Sequence, residues 1–321
     1  MTERSAAPYA GLGPDQVLDA VAAAGFEPDG RLLALPSYEN RVYQVGIEDG
    51  PGLVAKFYRP QRWSDAAIAE EQAFACELAE AELPVVAPIA VDGRHLLRHD
   101  GFRYALYPRR GGRAPELESS EHLAWIGRLL ARIHAVGSRA GFAHRGRIDA
   151  ETYVRAAART VLASGLLPDL HHGRYRALTA TLADRIDEAF ASVAPRTLRL
   201  HGDCHAGNVL WTDAGPHFVD LDDARTGPAI QDLWMLAPSD EALDALLEGY
   251  GEFRDFDWSE RRLIEPLRTM RQIHWAGWVA ARWHDPAFPA AFPQVGEARW
   301  WDQHLADLDE AADRLDATAP D

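Results

Sequence analysis

The chain has 321 residues, of which 47% are hydrophobic and 26% are charged, the composition of an ordinary globular protein long enough to build two core-bearing lobes. Its formal net charge of −16 argues against nucleic acid or an anionic membrane as the main partner. No apolar run approaches the roughly 18 residues of a membrane helix, and the N-terminal segment lacks a signal-peptide core, so we expect a cytosolic protein. The two cysteines, Cys76 and Cys204, are too few for a disulfide framework.

The first third of the chain predicts a small sheet with one main helix. Apolar alternation bounded by turn residues indicates the strands, and apolar residues at helical spacing indicate the helices. In chain order the predicted elements are a short helix over 13–25, a hairpin over 32–46, a strand over 52–58, a helix over 63–83, and strands over 85–89 and 103–107. Together they give an antiparallel sheet of about five strands.

From residue 117 onward the chain is predicted to be mostly helical. Broad apolar stripes predict helices of a larger lobe over 122–136, 153–163, 175–194, 230–235, 241–250 and 263–283. The last of these carries Trp275, Trp278 and Trp283, and an aromatic stripe at this spacing is typical of core packing. The prediction is therefore an α+β fold with a small sheet-bearing lobe and a larger helical lobe.

The stretch 200–227, LHGDCHAGNVLWTDAGPHFVDLDDARTG, holds two acidic clusters joined by a turn. Asp203 follows a glycine, Asn208 stands five residues later, and Asp220 ends a predicted short strand. A loop–strand–turn–strand unit of this kind brings the three side chains to one end of a hairpin. Mg²⁺ prefers oxygen ligands together with waters and substrate phosphates, so the stretch predicts a magnesium site. By two-residue alternation Asp222 shares the strand face of Asp220, where it either assists or is solvated.

His201, Cys204 and His205 allow a different interpretation, a transition-metal hydrolase site with Asp220 as the fourth ligand. Against it, the chain has no HExxH and no CxxC motif, and the combination of Asn208 with Asp220 would go unused. A nucleophilic role for Cys204 is weaker still, because an adjacent carboxylate raises the pKa of a thiol.

Five segments, taken in order, resemble a known family. HGDCHAGN at 201–208 and FVDLDD at 218–223 are similar to the catalytic loop and the metal-binding segment of aminoglycoside phosphotransferases, a branch of the protein-kinase-like fold. The segments SYENRVYQVG, VAKFYRP, LHGDCHAGNVLW, FVDLDDARTGPAIQDLW and DPAFPAAFP are similar to bacterial Ser/Thr protein kinases of the stress-response type, and they span 37–293. The resemblance implies a two-lobed fold, with a nucleotide-binding lobe over 1–108, a catalytic and substrate lobe over 109–321, ATP as co-substrate and Mg²⁺ as cofactor.

The resemblance also assigns roles in the larger lobe. It implies that Asp203 is the base that accepts the proton of the acceptor hydroxyl, and that Asn208 and Asp220 hold the Mg²⁺. Asp220 would also act in catalysis, because its carboxylate bridges the metal and the phosphates. His201 shapes the loop, and Asp232 resembles an aspartate at a helix start that braces the catalytic loop.

In the smaller lobe the resemblance implies that Lys56 binds the phosphates and that Glu71 pairs with it, with Glu70 as the fallback. No glycine-rich GxGxxG loop occurs, so backbone amides and the Ser37 hydroxyl would approach the phosphates instead. By residue types alone, the turn at Ser37 is a plain hairpin turn. Tyr107 falls in the hinge between the lobes, where the backbone would hydrogen-bond adenine.

The acceptor of the phosphoryl group is open at this level. Only a dozen residues run from Asp220 to Asp232, too few for a long activation loop, which favours a small amino-sugar, choline-like or homoserine-like alcohol. The resemblance favours Ser/Thr hydroxyls of proteins, the enzyme itself included, and we give it more weight. A catalytically inactive nucleotide-binding regulator is disfavoured because Lys56, Asp203 and Asn208 are all present. We expect a monomer.

Overall fold

A computed structural model describes residues 8–318 of the protein. Its N-terminal part contains β1 (Pro28–Leu35), β2 (Arg41–Ile47), β3 (Leu53–Phe57), β4 (Leu97–His99) and β5 (Phe102–Pro108). These strands form one antiparallel sheet in the order β1-β2-β3-β5-β4. The predicted sheet of five strands is confirmed, although one of its members is not the predicted one.

The segment 85–89 was predicted as a strand of this sheet, and that prediction is wrong. Pro84 and Pro88 have no N–H to donate to a ladder, so the segment is a poor sheet member. The start of the segment bonds to a later part of the chain, where Phe218 N donates to Pro84 O (2.7 Å) and Val86 N donates to Phe218 O (3.0 Å). At its end, Ile89 N donates to Leu106 O in β5 (2.7 Å). The segment therefore ties the N-terminal part to the C-terminal part, and β4 takes its place at the edge of the sheet.

Two helices accompany the sheet, α1 (Pro14–Ala23) and α2 (Asp65–Glu80). α2 begins after Ser64, whose hydroxyl oxygen accepts a hydrogen bond from Ala67 N (3.1 Å) and so caps the helix. Phe74 and Leu78 in its C-terminal half belong to the hydrophobic core of the C-terminal part. The position of α2 is thus fixed by the core of one part and by the sheet of the other.

The C-terminal part is mostly helical, as predicted. Its helices are α3 (Ser120–Gly137), α4 (Ala156–Ala163), α5 (His172–Val193), α6 (Gln231–Trp234), α7 (Asp240–Gly251), α8 (Ile264–Ala281), α9 (Ala287–Ala291) and α10 (Ala298–Thr318). The first six match the predicted helices within about three residues at each end, and a short π-helical turn precedes α4. The last two were not among the predicted elements. No helix in residues 8–318 is long and apolar enough to cross a membrane.

Two short ladders frame the stretch 200–227. The strands are β6 (Thr197–Leu200), β7 (Val209–Thr212), β8 (Gly215–Phe218) and β9 (Arg225–Pro228), with β6 paired to β9 and β7 paired to β8. Residues 201–208, the HGD loop, lead from β6 to β7, and residues 219–224 lead back from β8 to β9. Because both connections bridge the same two ladders, they lie side by side.

Candidate active site

The HGD loop is fixed by a buried aspartate of its own lobe. Asp232 accepts hydrogen bonds from the backbone N–H groups of His201 (2.7 Å) and Gly202 (2.8 Å). The same carboxylate lies 3.2 Å from His134 Nε2, and His134 Nδ1 lies 3.0 Å from the Tyr250 hydroxyl. All three partners are fully buried, so the loop is connected to α3, α6 and α7 by a solvent-excluded network. This confirms the predicted bracing role of Asp232.

Gly202 is where the HGD loop touches the following acidic turn (residues 220–223). Its φ is +86°, a conformation that favours glycine, and a Cβ there would lie 2.1 Å from the backbone oxygen of Asp223. A residue with a side chain would therefore push the two loops apart. The glycine before Asp203 therefore allows the backbone of the HGD loop to lie close to the backbone of the acidic turn.

Asp203 projects from the HGD loop towards the side chains of Arg271 and His205. Its Oδ1 accepts a hydrogen bond from Arg271 Nη1 (2.5 Å), and its Oδ2 lies 3.5 Å from His205 Nε2. Burial by itself would raise the pKa of Asp203, but the contacts with His205 and Arg271 outweigh it and hold the pKa well below the usual range. Asp203 is thus a carboxylate anion at neutral pH.

Asn208 joins the HGD loop to the acidic turn. Its Nδ2 donates to the backbone oxygen of Asp203 (2.9 Å), and its own backbone oxygen accepts from Val219 N (3.0 Å). Val219 O in turn lies 2.9 Å from His201 Nε2, so the side chain of His201 serves the scaffold. Because Val219 directly precedes Asp220, its hydrogen bond to Asn208 holds Asn208 and Asp220 close together.

Asp220 does not end a strand, in contrast to the prediction. β8 stops at Phe218, and Asp220 adopts a left-handed conformation (φ 61°, ψ 63°) before a 3₁₀ turn over Leu221–Asp223. Aspartate tolerates this conformation better than most residues, and such strain is typical of functional sites. The side chain of Asp220 is 53% exposed, whereas Asp222 is buried, so the expected alternation along a strand does not apply.

Lys56 on β3 reaches across to the acidic turn. Its Nζ lies 2.8 Å from Asp220 Oδ1 and 3.1 Å from Asp222 Oδ1. Burial alone would lower the pKa of Lys56, but the carboxylates of Asp220, Asp222 and Glu71 raise it well above the ordinary value. Lys56 is also the sole lysine of the sequence, the other 32 of its 33 basic residues being arginine. That uniqueness is a signal that the sequence offers for its role.

The two glutamates considered as partners of Lys56 lie in different places. Glu71 is buried at the cavity wall, and burial raises its pKa to about 7 although Lys56 and Arg145 lower it. The described ion pairs of Lys56 are with the acidic turn and not with Glu71, because the turn brings two carboxylates closer. Glu70 instead accepts backbone hydrogen bonds from residues 143–145 (2.7–2.9 Å), away from Lys56.

Arg62, which follows β3, completes the contact between the lobes. Its guanidinium donates hydrogen bonds to Asp222 and to Asp223 (2.6 Å to Oδ1). Asn40 in the β1–β2 turn also donates to Asp222 (3.1 Å). From the other side, Arg145 donates to the backbone oxygens of Asp222 and Ala224. The acidic turn is therefore bound by side chains of both lobes.

A cavity of about 1030 Å³ lies between the lobes and contains the predicted site residues. Its wall includes Ser37, Lys56, Glu71, Tyr107, Asp203, Asn208 and Asp220. The backbone of Tyr107 pairs with β3, and its hydroxyl lies 3.1 Å from that of Tyr58, well inside the smaller lobe. The structure thus brings residues from Ser37 to Asp220 around one space.

One face of α8 forms another wall of the cavity, which the sequence interpretation missed. The lining side chains recur at helical spacing and are Leu267, Met270, Arg271, His274, Trp275 and Trp278. The prediction of core packing for the tryptophans was therefore incomplete: Trp275 and Trp278 pack against the core and also line the cavity. The usable signal was an arginine and a histidine within an otherwise apolar stripe.

The transition-metal interpretation finds no support in the geometry. Cys204 is fully buried, and burial raises the pKa of its thiol well above the ordinary value. The Nε2 of His201 is engaged with a backbone oxygen. Within residues 8–318, no group of three or more His, Cys, Asp or Glu side chains has an arrangement that holds a metal ion.

Comparison with known proteins agrees with this geometry. The sequence profile of the phosphotransferase enzyme family matches residues 31–264, well over half of the chain. The chain belongs to this family. It is therefore an enzyme, a kinase that transfers a phosphoryl group, and it has the two-lobed kinase-like fold of its relatives.

Two curated relatives of this phosphotransferase cover nearly all of it. Stress response kinase A of Escherichia coli O157:H7 is 44% identical over 319 residues, 96% of this chain and 95% of the relative. Serine/threonine protein kinase RdoA of Salmonella typhimurium is 44% identical over 295 residues, 90% of this chain and 89% of the relative. The predicted similarity to stress-response kinases is thus confirmed.

Solved structures share the fold of the phosphotransferase at low sequence identity. Amicoumacin kinase, in complex with AMP-PNP and Ca²⁺ among its ligands, superposes with a TM-score of 0.68 at 18% identity, covering 95% of this chain and 94% of that one. A choline kinase from Cryptosporidium parvum superposes with a TM-score of 0.64 at 12% identity, covering 94% and 97%. At these identities the comparison establishes the fold alone.

Proposed function

We propose that the protein is an ATP- and Mg²⁺-dependent kinase that phosphorylates Ser and Thr hydroxyls of proteins. The observation that carries the proposal is the convergence of Lys56, Asp203 and Asp220 on one cavity. Phosphoryl transfer needs a positioned hydroxyl, a metal clamp and cationic charge near the phosphates. Asp203 would position the hydroxyl, Asp220 would hold the metal, and Lys56 would supply the positive charge. The protein acceptor is supported by the 44% identity to a relative that is named a serine/threonine protein kinase.

The smaller lobe would hold the nucleotide. Adenine would meet the backbone near Tyr107, and the phosphates would meet Lys56 and the turn at Ser37, all of which line the cavity. Lys56 is buried and cationic, so it offers a fixed positive charge that water screens little. Glu71 lines the same cavity, and its Oε2 has no hydrogen-bond partner in residues 8–318.

The oxygen donors of Asn208 and Asp220 suit a Mg²⁺ ion. Both side chains line the cavity, and the carboxylate of Asp220 is half-exposed towards it. When bound there, the ion would neutralise charge on the phosphates. Asp203 would accept the proton of the acceptor hydroxyl while the hydroxyl oxygen forms a bond to the terminal phosphorus. At the same time the bond between that phosphorus and the bridging oxygen of ADP would break, and ADP would leave. The low pKa of Asp203 fits a transition state in which orienting the hydroxyl matters more than strong basicity.

A small-molecule acceptor is the second candidate function. The cavity is bounded by the aromatic side chains of Tyr38, Trp275, Trp278 and Phe292, which suit a compact ligand. The short path from Asp220 to Asp232 likewise leaves little chain for an activation segment. These features would serve an alcohol of small size.

The test is phosphate transfer from labelled ATP by the purified protein, with generic protein substrates and separately with a panel of amino sugars, choline and homoserine. We expect labelled phosphoserine or phosphothreonine, dependent on Mg²⁺. Since Lys56 is the single lysine, amine-directed acylation followed by peptide mapping reports on one side chain, and Mg²⁺-ATP should protect it. Rapid turnover of an alcohol with no phosphoprotein product would establish the second candidate instead.

A further inference from the structure

The β1–β2 turn over 37–40 is fastened to the opposite lobe through Glu39. The carboxylate of Glu39 accepts a hydrogen bond from Trp278 Nε1 (2.6 Å), in the last turn of α8, and one from Arg282 Nη2 (3.0 Å), directly after α8. Its side chain is only 11% exposed, although it extends from a surface turn. A carboxylate that is this little exposed and has this many charged and polar partners is held in one orientation.

Two cations of the smaller lobe approach the same carboxylate. The Nε atoms of Arg59 and Arg62 each lie 3.7 Å from Glu39 Oε1. Arg59 continues to Asp285, just before α9, with a Nη2–Oδ2 distance of 2.8 Å. Glu39 therefore stands at a junction of the β1–β2 turn, the segment after β3 and the C-terminal end of α8. We refer to Glu39, Trp278 and Arg282 as the lobe joint.

The lobe joint lies directly beside the site residues. The next residue in the turn, Asn40, is buried, donates to Asp222 and accepts from Arg59 N (3.1 Å). Arg62 links Glu39 to Asp222 and Asp223. A movement of Glu39 would therefore displace the acidic turn through Arg62. It would also displace Ser37, which lies two residues earlier in the same β1–β2 turn.

We propose that Glu39 is a positioning residue, which fixes the β1–β2 turn against α8 and thereby sets the distance between the phosphate-binding side of the cavity and Asp203. This turn contains no glycine-rich sequence whose amides could wrap the phosphates, so its placement depends on an outside anchor. The anchor is on the lobe that also carries Asp203 and Arg271, so one contact aligns the two halves of the reaction. The proposal rests on the proposed nucleotide site.

The partners of Glu39 distinguish this role from a purely structural one. Trp278 and Arg282 lie on the other lobe, and Glu39 meets both of them through polar contacts. Breaking the lobe joint should therefore leave each lobe folded while it loosens the turn. The expected signature is a change in nucleotide affinity and in local exchange rather than in global unfolding.

The experiment compares Glu39→Ala, Glu39→Gln and Trp278→Phe with Glu48→Gln, an exposed acidic residue on the turn after β2 that serves as the matched charge control. The first measurement is the Kd of a non-hydrolysable ATP analogue in the presence of Mg²⁺. The others are KM for ATP and kcat, determined separately, and the rate of amide hydrogen exchange over 36–41 and 275–282. We expect Glu39→Ala to weaken analogue binding about tenfold to a hundredfold, from the loss of charge-assisted hydrogen bonds, and to speed exchange in both segments.

Glu39→Gln keeps an acceptor for Trp278 but loses the charge that the arginines face, so its effect should be intermediate. Glu39→Ala and Trp278→Phe should be non-additive in the double variant, since they break one contact. Unchanged affinity and unchanged exchange in a folded Glu39→Ala protein would overturn the proposal. If Glu39→Ala does not fold, unchanged affinity and unchanged exchange in both Glu39→Gln and Trp278→Phe would overturn the proposal instead.

Failure of the proposed function is seen separately. A wild-type protein that binds the analogue but transfers no phosphate to any acceptor removes the kinase proposal, while the affinity and exchange data still test Glu39. A wild-type protein that binds no nucleotide at all overturns both. Weaker binding with faster exchange in the Glu39 variants, and normal values in Glu48→Gln, supports the positioning role.

Discussion

The HGD loop and the acidic turn run side by side but are held by different means. The HGD loop is fixed by neutral backbone donors bonded to Asp232, a carboxylate buried in the same lobe. The acidic turn is bound by Arg145 of its own lobe and, across the cleft, by Lys56, Arg62 and Asn40 of the other lobe. One loop therefore keeps its geometry regardless of the lobe arrangement, whereas the other depends on how the lobes meet.

This difference suits the division of labour in a two-lobed kinase. A base that receives the acceptor needs a fixed location, which a solvent-excluded network within one lobe provides. In the proposed function the acidic turn would face the phosphates, and ion pairs across the cleft would couple it to the lobe that would hold the nucleotide. Changes in the first region should therefore affect turnover, and changes in the second should affect nucleotide binding.

The largest effect is expected from Asp203→Asn in the HGD loop. Removing the carboxylate should lower turnover about 10²–10⁴-fold, because the hydroxyl loses its proton acceptor, while nucleotide affinity and thermal stability stay near wild type. Steady-state kinetics and calorimetry measure the two quantities. Asp213→Asn, in the exposed turn between β7 and β8, is the control. A variant that keeps more than about a tenth of wild-type turnover would refute this role for Asp203.

Asp232→Asn tests the brace of the HGD loop. The amide group turns an N–H towards a backbone N–H of His201 or Gly202, so a buried donor loses its partner. We expect a loss of about 1–3 kcal/mol in the free energy of unfolding, with lower turnover and nearly unchanged nucleotide affinity. Denaturant unfolding and nucleotide titration measure these. If affinity falls as much as turnover, the HGD loop is not independent of the cleft.

The partner of Lys56 can be identified by two double-mutant cycles on nucleotide affinity. One combines Lys56→Met with Asp222→Asn and the other combines it with Glu71→Gln. Because Lys56 lies 3.1 Å from Asp222, that cycle should show the larger coupling, on the order of 1 kcal/mol. Binding of a Mg²⁺–nucleotide analogue by calorimetry is the measurement. A larger coupling to Glu71 would restore the ion pair that the resemblance implies.

Arg271→Gln should alter the pH dependence of the HGD loop. Arg271 helps to depress the pKa of Asp203, so its removal should raise that pKa. Asp203 acts as the anion, and the acid limb of kcat/KM should therefore move to higher pH, by about one unit. Arg268→Gln, one turn earlier on α8 and bonded to Glu265, is the matched control. An acid limb that stays in place would mean that Arg271 does not act through Asp203.

Local pattern was sufficient for most of the secondary structure and for half of the site. The helices from α3 to α8 and four of the five strands follow from periodicity, because each periodicity reflects one buried face. Asp203 and Asn208 lie in one short loop, so their spacing in the sequence already brings them together. The strand prediction for 85–89 failed because Pro84 and Pro88 cannot donate to a ladder, and the hydrogen bonds of the segment are divided between Phe218 and Leu106.

Only the tertiary structure decided which charges meet. Lys56 and Asp220 are 164 residues apart, and no local spacing distinguishes Asp222 or Asp220 from Glu71 as the partner of Lys56. The fold places the acidic turn beside Lys56, and Lys56 contacts both the exposed carboxylate of Asp220 and the buried carboxylate of Asp222. The same holds for α8: its stripe predicted a buried face, but the opposing lobe leaves Trp275 and Trp278 lining a cavity. Sequence periodicity reports that a face is covered, and only the folded chain determines what covers it.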